Sequence, residues 1–357
     1  MSKTRKILLF FLIILLTLLI VFAFIKNNKP KKQYVYAIHS LLPYGNFSIS
    51  QIEPTANQII KEFKVNKAYD FISPLNDQLL LLTINKNDFL PTSRIDILDT
   101  ETGFYKKLIA NTAQSFSAVF THKNKIFAIL GDAKKPLWLN LYNKNGKLEK
   151  ESLIDYAAIM NDQAFFINNN DLWVLVNQFH NKTTRDLPCI YIVDLNSLVI
   201  KKKIDLGSFF SGGTAISLNS KEKEIYISAL WRNSEIKHQI NTYIYVFSFP
   251  ECKFLRKINV FDQTTKLCYI SNYHKLYASA GKKFKVIDTQ KNKLLKTFDF
   301  SVNYLSRKFD YLYLSSTKYY LDSKKTQIDL ETKLLILNVK TDYIVNEFSG
   351  DYGPLSL

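Results

Sequence analysis

From residue 34 onward, short apolar segments alternate with short polar segments, and no stretch has the period of a long helix. The apolar segments are rich in β-branched and aromatic residues, which favours strands over helices. At 163–176, for example, two apolar segments flank the polar turn at 168–171. The pattern therefore predicts an all-β chain after the N-terminal region.

One segment type recurs seven times: an apolar strand, a turn that begins at Asp, Asn, Glu or Ser, and a second strand. The clearest example is FKVIDTQKNKLLKTF at 284–298. An upstream pair of strands precedes each turn segment, and units of roughly four dozen residues with four strands have the size of β-propeller blades. The repeat therefore predicts a seven-bladed β-propeller over 33–357. The turns begin at Glu53, Asp99, Asn143, Asp194, Ser248, Asp288 and Asn338.

The two ends of the repeat region complement each other. The first unit lacks its first strand, because only the basic linker 26–32 precedes Tyr34. The strand-like segment 351–357 follows a complete seventh unit and is similar to 69–75, which begins the second unit. We therefore expect 351–357 to supply the innermost strand of the first blade, since closing the ring removes unpaired sheet edges.

The turn segment resembles that of the YVTN and quinoprotein-like β-propeller repeats, and the resemblance covers nearly all of 33–357. Such repeats serve binding proteins, lactonases and dehydrogenases alike, so the resemblance implies a fold and not one activity. The chain has three tryptophans, and they form no repeated docking motif. We therefore expect no quinone cofactor, and no other cofactor is predicted.

An uncharged apolar stretch at 7–25 precedes the repeats. As a helix it is about 28 Å long, which matches the roughly 30 Å hydrocarbon thickness of a bilayer. A cleaved signal peptide is the alternative, because Lys3, Arg5 and Lys6 precede the stretch. The stretch is longer than the apolar part of most signal peptides and has no small-x-small cleavage site. It is therefore predicted to be an uncleaved transmembrane signal-anchor helix.

The basic residues on the two sides of 7–25 are nearly balanced, so they do not by themselves decide the orientation. An N-terminal stub as short as 1–6 normally stays in the cytoplasm. We therefore expect a single-pass membrane protein with 1–6 cytoplasmic, 26–32 as a basic linker and 33–357 extracytoplasmic.

The net charge of +17 is shared between the two regions. Residues 1–32 hold seven Lys and Arg and no acid, which leaves +10 for the rest. This surplus favours anionic partners, although a solvated basic surface is the alternative. No nucleic-acid motif is present, so a nucleic-acid partner is not expected. The cysteines predict no disulfide framework, and one bridge among them stays open: Cys189, Cys252 and Cys268.

No sequence motif predicts catalysis. The five histidines are scattered, without the spacing of metal ligands. The segment 211–214 is interpreted as a flexible start of the fifth blade's inner strand, in preference to an anion-binding loop. Four aspartates near inner strands are interpreted as turn residues, in preference to ligands of a lactonase-like metal site. These are Asp70, Asp77, Asp162 and Asp171.

Three connections between the second and third strands of a blade are expanded, at 177–189, 229–241 and 316–333. Such connections open on the same face of every blade, and loops on a rigid scaffold are where binding residues concentrate. Solvated insertions without a partner are the alternative. The candidate binding residues combine aromatic, basic and polar groups. They are Phe179, His180, Arg185, Trp231, Arg232, His238, Tyr319 and Tyr320.

Two functions from different classes follow. The first is a membrane-tethered, extracytoplasmic binding or scaffolding module, whose partner is a membrane or envelope protein or an anionic polymer. A solute-sensing domain would look the same at this level. The alternative is a lactonase-like or other hydrolase, which predicts at least three Asp, Glu or His side chains converging in the central funnel.

Overall fold

The computed structural model describes residues 34–41, 46–65, 67–85, 92–111, 114–131, 136–159, 163–178, 187–207, 210–232, 240–321 and 328–356. Within these ranges the elements are β-strands and one 3-10 helix, Ser271–Tyr273. No helix in them has the length and hydropathy needed to span a bilayer. The predicted anchor 7–25, with its stub and basic linker, lies outside the described residues. Tyr34–Leu357 form one compact unit.

The strands form seven antiparallel sheets, each of which is one blade. Blade 1 contains β1 (Val35–Leu41), β2 (Asn46–Glu53), β3 (Gln58–Val65) and, at its inner edge, β29 (Asp351–Ser356). Blade 2 contains β4 (Phe71–Pro74), β5 (Leu79–Ile84), β6 (Ser93–Asp99) and β7 (Tyr105–Asn111). Blade 3 contains β8 (Phe116–His122), β9 (Lys125–Leu130), β10 (Leu137–Tyr142) and β11 (Leu148–Asp155). Blade 4 contains β12 (Ala157–Ala158), β13 (Phe165–Asn168), β14 (Asp171–Gln178), β15 (Leu187–Asp194) and β16 (Ile200–Asp205).

The last three blades continue the series. Blade 5 contains β17 (Phe210–Asn219), β18 (Glu224–Arg232), β19 (Tyr243–Ser248) and β20 (Phe254–Asn259). Blade 6 contains β21 (Thr264–Ile270), β22 (Lys275–Ala280), β23 (Lys283–Asp288) and β24 (Lys293–Phe298). Blade 7 contains β25 (Ser301–Lys308), β26 (Tyr311–Leu321), β27 (Ile328–Asn338) and β28 (Tyr343–Ser349).

The core consists of seven apolar clusters, one at each junction between neighbouring blades, including the junction of blade 7 with blade 1. Because the strands of a blade are antiparallel, its connections lie on two opposite faces. The turn face carries the turns after the third strands, and the loop face carries the connections from second to third strand and from blade to blade. The all-β, seven-bladed fold predicted from the repeat is confirmed.

The predicted closure is also confirmed. Strand β29 pairs antiparallel with β1, from Tyr36 opposite Ser356 to Ser40 opposite Asp351. The Tyr352 ring is buried and stacks on His39, with ring centroids 4.4 Å apart. The inner edge of β1, which would otherwise carry unpaired backbone groups, is therefore covered by the C-terminal strand.

Five of the seven turns, those at Asp99, Asn143, Asp194, Asp288 and Asn338, share a mechanism. Asp99 Oδ1 accepts hydrogen bonds from the backbone N–H groups of Glu101 and Thr102, both at 2.9 Å, and Asp288 does the same for Gln290 and Lys291 at 3.0 Å. Short polar side chains form such turns readily. The spacing of the turns can therefore be predicted from the positions of these residues in the sequence. A residue with left-handed φ follows in each turn: Asn57, Gly103, Gly146, Leu198, Cys252, Asn292 and Asp342.

Basic side chains on outer strands join neighbouring blades. Lys61 Nζ of blade 1 donates to the carbonyl oxygens of Thr100 and Glu101 in blade 2, at 2.7 and 2.9 Å. Arg256 Nη2 of blade 5 donates to the carbonyl of Thr289 in blade 6 at 3.4 Å. Some of the basic side chains therefore stabilise the junctions between blades.

Two sequence interpretations need correction. The segment 211–214 is not a flexible lead but belongs to β17, where Asn177 Nδ2 donates to the Gly213 carbonyl at 3.0 Å and the Gly213 N–H donates to Asn177 Oδ1 at 2.8 Å. The connection predicted at 316–333 is mostly a two-stranded ribbon, because β26 and β27 remain paired as far as Leu321 and Ile328. Backbone pairing continues through this segment, although its sequence lacks the alternation of the other strands.

Candidate functional site

The predicted binding residues lie on the loop face where the structure describes their backbone. Trp231 and Arg232 end β18, opposite Ser211 and Phe210 of the inner strand. Their side chains, and those of Tyr319 and Tyr320 in β26, are not described, so the structure does not test whether they form one patch. The remaining four fall outside the described residues: Phe179, His180, Arg185 and His238.

In the described part of the chain, three large apolar side chains are exposed in connections of the loop face. Tyr156 lies between β11 and β12, Ile240 lies between β18 and β19, and Phe261 lies between β20 and β21. Their exposed fractions are 65%, 54% and 72%. They surround blades 4 and 5, which carry two of the three expanded connections. Sequence analysis missed them, since a single aromatic residue in a short connection gives no sign of its exposure.

A polar cluster fixes the base of the expanded connection in blade 4. Asp155 Oδ2 accepts hydrogen bonds from Tyr191 Oη and from Gln178 Nε2. Asp155 Oδ1 accepts from the backbone N–H of Tyr156 at 2.7 Å. Gln178 is the last residue of β14, so the cluster ties the start of the connection to an exposed aromatic residue of the same face.

The electrostatics of this cluster favour a charged carboxylate. Burial acts to raise the pKa of Asp155, but the hydrogen bonds from Tyr191 and Gln178 outweigh it and hold that pKa below its ordinary value. Burial and the hydrogen bond to Asp155 raise the pKa of Tyr191. Tyr191 therefore stays a neutral donor, and Asp155 stays a charged acceptor that can orient both partners.

The cysteines are free thiols. Burial raises the pKa of Cys189, Cys252 and Cys268 to about 12 in each case. Because the thiolate is the reactive form, none of the three is prepared to act as a nucleophile at neutral pH. The single bridge that the sequence left open is not formed.

The central channel contains a pocket of about 190 Å³. In the described part of the chain, no three His, Cys, Asp or Glu side chains come together as metal ligands would. Asp70 accepts a hydrogen bond from the Asn85 N–H at 2.7 Å, and Asp171 pairs with Lys201 at 2.6 Å; Asp162 lies outside the described residues. The pocket is lined by Phe71, Ile72, Ser73, Ala118, Val119, Phe120, Phe165, Tyr304 and Leu355.

No protein-family model matches the sequence, and no curated protein matches it. Among solved structures, the chain is similar to the dihydro-heme d1 dehydrogenase NirN in complex with DHE, at 12% identity over 91% of this chain and 75% of that chain, with a TM-score of 0.55. A functionally unknown protein from Desulfotomaculum acetoxidans matches at 12% identity over 90% and 98%, with a TM-score of 0.56. Apo AztD from Citrobacter koseri matches at 10% identity over 90% and 97%, with a TM-score of 0.52.

At 10 to 12% identity these likenesses show the fold alone, because one fold hosts many unrelated sites. The similarity extends over nine-tenths of the chain and is to propeller proteins. The chain is therefore a seven-bladed β-propeller, and its resemblance to the YVTN and quinoprotein-like repeats is confirmed at the level of the fold.

Proposed function

We propose that this chain is a membrane-tethered, extracytoplasmic β-propeller that binds a protein or another ligand through its loop face. The observation that carries the proposal is the exposure of Tyr156, Ile240 and Phe261 around the connections of blades 4 and 5. Large apolar side chains exposed on one face favour an interaction site there, and aromatic residues are enriched among the residues that dominate binding energy.

The scaffold beneath this surface is suited to binding. The closed ring holds the strand ends in fixed positions, and the Asp155 cluster holds the end of β14 against Tyr156. A site whose supports are ordered before binding loses less conformational entropy when the partner arrives. Trp231, Arg232, Tyr319 and Tyr320 would extend the surface, as the sequence predicts.

The tether rests on the apolar stretch 7–25 and the basic linker 26–32. In this proposal the stub 1–6 is cytoplasmic and the propeller is on the other side of the membrane. The partner is then a membrane or envelope protein or an anionic polymer. The hydrolase alternative requires converging acidic or histidine side chains, and no observation in the described ranges favours it over binding.

The proposal is tested by capture from cross-linked membranes with the full chain as bait. Tyr156→Ala combined with Phe261→Ala should lower recovery of the specific partner by about tenfold or more, because truncating interface aromatics usually costs over 1 kcal/mol each. Trp231→Ala with Arg232→Ala tests the sequence-predicted residues in the same way. Partner recovery is measured by quantitative mass spectrometry.

The matched control is Phe104→Ala with Phe309→Ala, which removes two exposed aromatic residues from the turn face. It should leave recovery at the level of the unaltered chain. All variants must retain the melting temperature of the parent. Equal recovery by the Tyr156/Phe261 double variant and the control would contradict a recognition surface on the loop face.

A further inference from the structure

The turn face carries an unusual set of exposed apolar side chains. Of the sixteen large hydrophobic residues exposed in the described part of the chain, eleven lie one to three positions after the left-handed residue of a turn. Every blade contributes at least one. An outer strand that alternates buried and exposed residues could carry polar side chains at all of these exposed positions. They are Ile60, Phe104, Leu148, Val199, Phe254, Leu255, Leu294, Leu295, Tyr343, Ile344 and Val345.

Blades 5 to 7 hold the densest part of this set, and exposed lysines lie among the apolar groups. Lys253 precedes Phe254, and Lys291 and Lys293 precede Leu294. Lys296 Nζ lies 4.2 Å from the ring centroid of Tyr343, which joins blade 6 to blade 7. We call this group the turn-face patch: Lys253, Phe254, Leu255, Lys291, Lys293, Leu294, Leu295, Lys296, Tyr343, Ile344 and Val345.

Several acidic side chains near the turn-face patch are engaged within the fold. Glu224 accepts a hydrogen bond from Arg256 Nη2 at 3.0 Å, and Asp342 pairs with Lys275 at 2.6 Å. Asp288 accepts from the N–H groups of its own turn, and Glu251, two residues before Lys253, is exposed. The four lysines of the patch outnumber Asp288 and Glu251, so the patch keeps a positive charge beside its apolar groups.

The chain enters the propeller on the same face. Val35 pairs with Ile52, directly before the turn residue Glu53, so Tyr34 lies beside the turn of blade 1. That turn also contacts blade 7, because Asn346 Nδ2 donates to the Asn57 carbonyl at 2.7 Å. The described chain therefore begins, at Tyr34, next to the turn-face patch. Eight residues, 26–33, span at most about 28 Å.

We propose that the turn-face patch docks onto an anionic lipid bilayer, so that the loop face points away from the lipid. This inference rests on the proposed tether, since 7–25 would keep the patch close to the membrane. Apolar side chains set among lysines are typical of surfaces that bind the interface of anionic membranes, where the apolar groups enter the headgroup region and the ammonium groups bind phosphates.

The test uses the full-length chain reconstituted in vesicles, either of phosphatidylcholine alone or with about 30% phosphatidylglycerol added to raise the surface charge. Lysines are acetylated with a soluble reagent, and the modification of each is read by mass spectrometry. Blade 6 offers an internal pair: Lys293 lies on the turn face and Lys283 at the start of β23 on the loop face, and both are exposed. Anionic vesicles should lower the labelling rate of Lys293 by about fivefold and leave Lys283 unchanged.

A variant separates lipid docking from tethering. Leu294→Glu with Leu295→Glu places two charges at exposed positions, so the fold should be retained. It should restore full labelling of Lys253 on anionic vesicles while the protein still floats with neutral vesicles. The matched control is Ile240→Glu on the loop face, which should keep Lys253 protected.

The outcomes are distinguishable. Equal labelling of Lys293 in both kinds of vesicle overturns the docking proposal. Protection that follows protein concentration and not lipid charge also overturns it, and assigns the patch to a second copy of the chain. Failure to float with neutral vesicles refutes the tether alone, because protection of Lys293 by anionic vesicles would still support the patch.

Discussion

Tyr277 shows how a single side chain joins two blades. Its ring is fully buried, and its hydroxyl donates to Asp342 Oδ1 at 2.6 Å while lying 3.1 Å from the Val339 carbonyl oxygen. Burial, followed by the hydrogen bond to Asp342, raises the pKa of Tyr277. Because Asp342 is the left-handed residue of the blade 7 turn, the tyrosine fixes that turn against blade 6.

Tyr277→Phe should lower the free energy of unfolding by about 1.5 kcal/mol, since it removes a hydrogen bond to a charged group and takes the tyrosine donor from Asp342 Oδ1. Tyr343→Phe is the matched control, because Tyr343 is 66% exposed. The control should change stability by less than about 0.5 kcal/mol. Urea unfolding measures both, and equal stabilities would contradict the role given to Tyr277.

At the same scale, the candidate site shows what sequence reasoning can and cannot find. The expanded connections were visible, because an insertion breaks the length of the repeat. The exposure of Tyr156 and Phe261 was not predicted, because the sequence around a single aromatic residue in a connection does not differ between buried and exposed positions. The Asp155 cluster joins residues from three strands that are far apart in the sequence, so it exists only in the folded chain.

At the scale of elements, the turn after each third strand is the unit that the sequence encodes best. In most of these turns a polar residue accepts hydrogen bonds from the backbone of its own turn. A residue with positive φ then comes just before the outer strand. Gly146 serves this second role in blade 3, with φ +77. A Cβ there would lie 2.4 Å from the Leu108 carbonyl oxygen of blade 2. The turn and the blade junction therefore both depend on glycine.

Gly146→Ala should destabilise the protein by about 2 kcal/mol or more, because the left-handed conformation costs 1–2 kcal/mol and the new methyl must displace backbone. Gly353→Ala is the control, since its Cβ would meet nothing nearer than Ile38 at 3.9 Å. The control should stay within about 0.5 kcal/mol of the parent. The two variants are compared by chemical denaturation, in which both should keep the parent's dependence of unfolding free energy on denaturant concentration. Equal denaturation midpoints for Gly146→Ala and Gly353→Ala would refute the prediction.

At the scale of the whole molecule, the ring is closed by pairing its two ends. Strand β29 covers β1, and Tyr352 joins the apolar cluster between blades 7 and 1. The contacts between β29 and β1 join residues that lie more than 300 positions apart in the sequence. Closure is therefore a property of the complete ring.

Removing 351–357 should lower the melting temperature by about 5 °C or more, since several kcal/mol of pairing and burial are lost and each kcal/mol is worth about 1.5 °C in a domain of more than 300 residues. A chain that lacks only residue 357 keeps β29 and is the control. Calorimetry of the two chains provides the measurement. A melting temperature within a degree or two of the parent would show that β29 does not hold the ring.

The sequence by itself determined the number of blades, the positions of their turns and the closure by the C-terminal segment. Local rules suffice for the blades and their turns, because alternation of apolar and polar residues and the hydrogen bonds of a polar turn residue act within a few positions. The closure follows from a first unit that lacks one strand and a segment, 351–357, that is left over after the seventh unit. The tertiary structure alone decided which side chains share a face. The exposed aromatic residues of the loop face come from different blades, and so do the residues of the turn-face patch. Only the closed ring places the members of each set on one face.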